Sequence, residues 1–139
     1  MYLHFVFIFV KMVLDNWNKQ VSAANKLLGS LTDADLEKEV ALGRNRGVYL
    51  LGHLTAVNDK MLPLLNFGEA KYPKLYEDFA MKPDRAVAEI PSASELRTCW
   101  INSCDELSST LAKQQLKTGL EGTHLLLQKI LPKNHTAIN

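Results

Sequence analysis

Long hydrophobic runs are missing from this chain of 139 residues. No stretch reaches the about 20 apolar residues that a membrane-spanning helix needs. Met1 to Val10 comes nearest, apolar apart from His4. Its first basic residue, Lys11, follows the run instead of preceding it, the reverse of a secretory leader, so no export signal is read there. Cysteine is scarce: only Cys99 and Cys104, five positions apart, too far for a CxxC clip and turned to different sides of a helix. They read as two small buried thiols of a reducing, cytoplasmic protein. Charge of one sign is lacking as well. The 16 basic and 15 acidic residues leave a net +1 with no block of either, which excludes a phosphate-tracking surface, so nucleic acid is not an expected partner. No Gly-rich phosphate loop, EF-hand loop or HExxH occurs, and no low-complexity tract or internal repeat.

What is present is an ordinary globular composition, 47% apolar and 22% charged, in a length that suits one domain spanning residues 1–139. The periodicity is helical. Leu3, Val6, Val10, Leu14, Trp17, Val21, Ala24 and Leu28 form one stripe, with Phe5, Ile8 and Phe9 off it, and Gly29 is placed to stop that helix. Thr32 to Asp35 reads as a capping box opening a short helix to about Val40. From Val48 to Leu65, Leu50, Leu54, Val57, Met61 and Leu65 share a face, taken as the core-facing one. The connection from Asn66 to Pro91 has room for one short helix around Lys74 to Ala80, and its length fits a crossover that leaves the flanking helices parallel. Ser92 to Glu95 caps the next helix, whose Leu96, Trp100, Ser103, Leu107 and Leu111 keep period to about Gln115; after Gly119 the pattern weakens to two turns before Pro132. Both tryptophans lie on apolar stripes and are expected to be largely buried.

His53 sits at the border of the apolar stripe, one turn from Tyr49 and Val57. A lone histidine there is more often a hydrogen-bonded boundary residue than a ligand. The surrounding Gly43-Arg44-Asn45-Arg46-Gly47-Val48-Tyr49-Leu50-Leu51-Gly52-His53-Leu54-Thr55-Ala56-Val57 is similar to the second-helix signature of the DinB-like (YfiT-like) family. Trp17, Met61 to Leu65, the Asn66-Phe67-Gly68 turn, Lys82 to Val87, and Glu95-Leu96-Arg97 followed by Trp100 resemble a bacterial branch of it, over about residues 12–115.

The resemblance implies an all-α, up-down-down-up four-helix bundle, its fourth helix short or absent here. It also implies a divalent metal, zinc or nickel, held by three histidines, with a low-molecular-weight thiol as co-substrate in a thiol-dependent transferase. One histidine comes from the second helix, matching His53. The other two come from a His-x-x-x-His pair on the last helix, which this sequence lacks. His124 with Gln128 keeps that spacing but offers an amide; alternatively His124 and Asn134-His135 match the stretch before the last helix, and the chain is then truncated or frame-shifted. The expected metal set is His53, His124 and His135, incomplete as a site; His4 has no assigned role. Arg44-Asn45-Arg46 reads equally as an anion grip at a helix start or as a solvated loop. Two other classes stand beside the metal-dependent enzyme: a catalytically silent bundle acting through protein contacts, and a bundle with an apolar pocket for a small molecule. A homodimer is expected, with Phe5, Phe7, Ile8 and Phe9 at the contact.

Overall fold

A computed structural model describes residues 2–130, and all its regular elements there are helices: α1 Tyr2–Ser30, α2 Asp33–Leu36, α3 Gly47–Leu64, α4 Pro73–Phe79 and α5 Ala93–Ile130. The all-α expectation holds. The stripe of α1 faces inward: Leu14 is buried and the other seven are half-buried, while Phe5, Ile8 and Phe9 are exposed. Gly29 does not stop the helix but stays within it, and α1 closes at Ser30, whose hydroxyl donates to the Leu27 carbonyl. Thr32 forms the capping box, its hydroxyl accepting from the Asp35 amide at 3.1 Å and its amide donating to the Asp35 carboxylate at 3.0 Å. The helix it opens is shorter than expected and ends at Leu36.

Helix directions follow from which residues meet. Trp17 Nε1 donates to Ser108 Oγ, Trp100 Nε1 to Asn25 Oδ1 and the Arg97 guanidinium to the Leu28 carbonyl, so α1 runs antiparallel to α5. Along α3 the order is the same as along α5: Leu51 shares a core cluster with Leu96 and Trp100, Asn58 meets Cys104, and Leu62 packs with Leu107 and Leu111. The two are parallel, as the long connection required. That connection carries α4, which packs on α3, and it leaves α3 through a left-handed turn at Asn66 (φ 58°) and Gly68 (φ 138°). The buried side of α5 is the expected one, with Leu96, Trp100, Ser103, Leu107 and Leu111 all in the core.

Two further expectations are corrected. The face of α3 that points inward is not Leu50, Leu54, Val57, Met61 and Leu65, of which four are exposed and Met61 half-buried; it is Val48, Leu51, Thr55, Asp59 and Leu62, with Gly52 and Ala56 beside them. α3 is clasped between α4 and α5, and only small residues let α4 approach that closely. The third long helix also does not end near Gln115. α5 passes through Gly119 to Ile130; the Phe7 ring of α1 packs so near that a Cβ on Gly119 would stand 3.1 Å from it, and this packing offsets glycine's weak helix propensity. No separate fourth helix exists among the described residues.

Candidate functional site

Three residues on one edge of α3, at spacings of three and four, hold the end of α4 and the segment that follows it. Arg46, at the N-cap, donates through Nε and Nη2 to Asp84 at 3.1 and 2.8 Å, and its backbone amide donates to the same carboxylate at 2.8 Å. These bonds hold the Asp84 carboxyl below the usual carboxylate range and raise the Arg46 guanidinium. Tyr49 donates its hydroxyl to the Lys82 carbonyl at 2.8 Å. His53, stacked on Tyr49 with ring centroids 6.4 Å apart, places Nδ1 2.8 Å from the Phe79 carbonyl.

That last bond has a chemical consequence. A carbonyl oxygen only accepts, so Nδ1 carries the proton, and in the neutral ring Nε2 is left with a free lone pair. Metal-binding imidazoles are commonly oriented this way, the distal N–H given to a backbone carbonyl so that the other nitrogen faces the ion. His53 is half-buried, oriented from below by the end of α4 and from the side by Tyr49.

The other sequence candidates are not brought to it. His124 lies near the far end of α5, exposed, and its Nε2 accepts from Gln128 Nε2 at 2.8 Å. With Asn58 and Cys104 level with one another and a rise of about 1.5 Å per residue, His124 stands on the order of 35 Å along the bundle from His53. His135 lies outside the described residues. His4 is exposed near the start of α1, at the far end of the bundle from His53.

No protein-family model matches the chain, and no curated protein matches it.

Among the described residues no group of three or more His, Cys, Asp or Glu side chains is placed to hold an ion. A catalytic zinc takes three protein ligands and keeps one position open, so His53 alone does not fit that group. The thiols offer no substitute: burial pushes Cys104 up to about 11, and desolvation raises Cys99 too. Arg46 is likewise not a free anion grip, because Asp84 and Glu37 occupy its guanidinium.

The sequence did not disclose the partners of His53. The Phe79 carbonyl belongs to a different helix, and a backbone acceptor leaves no mark on residue type. It also did not disclose a cavity of about 530 Å³ lined by Tyr72, Leu75, Ile90, Pro91 and Cys99. The lysines at its rim are already engaged, Lys71 by Glu106 at 2.7 Å and Lys74 by Asp78, so the cavity offers apolar surface and no free cation among its described lining residues.

Proposed function

We propose that this chain is a DinB-like four-helix-bundle protein of the divalent-metal-dependent, thiol-dependent transferase type, in which His53 keeps its place as a ligand while the rest of the site is incomplete. The observation that supports the reading is the Nδ1 bond from His53 to the Phe79 carbonyl, which leaves Nε2 as the nitrogen open to an ion. The relative directions of α1, α3 and α5 agree with the first three helices of such a bundle. Zinc or nickel is the metal in this reading, and it enters through His53 alone, so its affinity is weak.

Metal analysis and titration test this. After dialysis the protein retains far less than one equivalent of zinc or nickel; added zinc then binds weakly to the full chain, not at all to His53→Ala, and unchanged to His124→Ala. Equal binding by the full chain and His53→Ala contradicts the assignment. A full retained equivalent that His53→Ala removes contradicts the incompleteness and points to His135.

A second reading is a bundle that acts by contact and not by turnover. It is favoured by the separation of His53 from His124, which prevents both from serving one ion, and by the apolar surface that α1 leaves uncovered.

A further inference from the structure

The first three turns of α1 carry two apolar stripes, and one of them is used. The inner stripe packs on α5: Phe7 rests against Gly119 and Leu3 against Gly122. α3 has already ended by this level, since Leu62 lies beside Leu107 and Leu111. The start of α1 and the end of α5 therefore continue past the bundle as a ribbon of two helices, with no third element packed on it among the described residues.

The second stripe is Tyr2, Phe5, Phe9 and Met12, exposed by 80%, 69%, 59% and 65%. Their spacing of three, four and three is that of the a and d positions of a coiled-coil seam. Continued by one heptad step the stripe meets Asn16 and Lys19, both exposed, so the apolar seam ends where the bundle proper begins. Ile8 and Val13, also exposed, flank it.

We propose that this seam is the contact between two copies of the chain, joined about a two-fold axis so that two ribbons close into an intermolecular four-helix bundle. Three observations select a second copy as the occupant. The first is area. At roughly 200 Å² per large side chain, the six residues leave on the order of 700 Å² open per copy, or about 1,400 Å² when two meet, inside the range of specific dimers. The second is symmetry: a heptad seam is complementary to itself, and an isologous contact needs nothing else. The third is charge. Leu3 to Val10 contains no Asp, Glu, Lys or Arg, and Lys11 is neutralised within the chain by Asp15, so two copies meet without like-charge repulsion. Within the seam segment of α1, from Tyr2 to Asp15, the single basic residue is paired, which weighs against a lipid surface, where interfacial helices carry Lys and Arg on the polar face.

Sedimentation velocity on the full chain and on a Phe5→Glu, Phe9→Glu variant tests this. The full chain is expected at twice 15.6 kDa at about 100 μM, and the variant at the monomer mass with unchanged helical circular dichroism. A monomeric full chain at that concentration overturns the proposal, and so does a dimer that the charged variant leaves intact. A chain that is monomeric in buffer and binds phosphatidylcholine vesicles overturns it in favour of lipid. Should the charged pair cost helicity, Phe9→Cys decides under mild oxidation: covalent dimers absent from the parent chain support the seam, and their failure to appear rejects it.

Discussion

Gly52 of α3 lies flat against the Phe79 ring of α4, so closely that a Cβ on Gly52 would stand 2.5 Å from Cδ1 and 2.6 Å from Cε1. Phe79 is fully buried and its carbonyl accepts from His53, so neither ring nor backbone is free to retreat. Gly52→Ala therefore forces the two helices apart. The expected cost is about 1–3 kcal/mol, read from the urea midpoint, and it outweighs the gain in helix propensity that alanine brings. A more stable Gly52→Ala protein would contradict this packing.

The two tryptophans, both expected to be largely buried, are not equivalent. Trp100 is in the core, while Trp17 is half-buried between its bond to Ser108 and the edge of the second core cluster. Trp100→Ala is expected to cost about 3–5 kcal/mol and Trp17→Ala less. Acrylamide quenching of the single-tryptophan variants Trp17→Phe and Trp100→Phe checks the order: the protein that keeps Trp17 is quenched more readily.

Cys104 is buried beside Asn58, which donates to its sulfur at 3.4 Å, and burial raises its thiol to about 11. At pH 8 almost none of it is thiolate, the reactive form. In the folded protein it should resist a disulfide reagent such as DTNB over hours, with full reaction only in denaturant. Rapid loss of both thiols from native protein would place Cys104 at the surface.

Asp84 links two segments far apart in sequence by its bonds to Arg46, which hold its carboxyl below its ordinary 3.8. A carboxyl depressed by folding adds stability that is fully present above 3.8 and is lost as the pH falls through the lower folded value. Asp84→Asn should cost about 1.5–3 kcal/mol at neutral pH, the range for hydrogen bonds to charged groups. The gap from the wild type should narrow on acidification below 3.8, followed by thermal unfolding at a series of pH values. A gap that stays constant to pH 2 would show that the ion pair is not what the substitution removes.

Much of this fold was legible because the inward stripes of α1 and α5 are regular and their partners distinct. Leu14, Trp100, Leu107 and Leu111 announce themselves at helical spacing, and the Thr32 and Ser92 caps follow from residue type alone. α3 misled for a physical reason. Leu50, Leu54 and Val57 form the longer aliphatic stripe, yet the packed face sets Val48, Leu51 and Leu62 among Gly52, Thr55, Ala56 and Asp59, the small residues allowing close approach and Asp59 accepting the Lys71 and Tyr72 amides. Polar and small residues on a helix that two others clasp hide its inward face from a reading by hydrophobic period. Gly119 misled likewise, since a residue that ends helices in isolation is here the socket for Phe7. At the site, His53 stood out by type and spacing, but the Phe79 carbonyl that fixes its tautomer is silent in sequence, and so is the distance that separates it from His124.

The tautomer and metal response of His53 form the most direct test of the account. Long-range ¹H–¹⁵N correlation spectra of the imidazoles, with and without zinc, assign the protonated nitrogen of each ring and report which ring meets the ion. Neutral His53 is expected to carry its proton on Nδ1, and zinc to move its Nε2 resonance while that of His124 stays in place. A His53 protonated on Nε2, or a zinc response confined to His124, would contradict it.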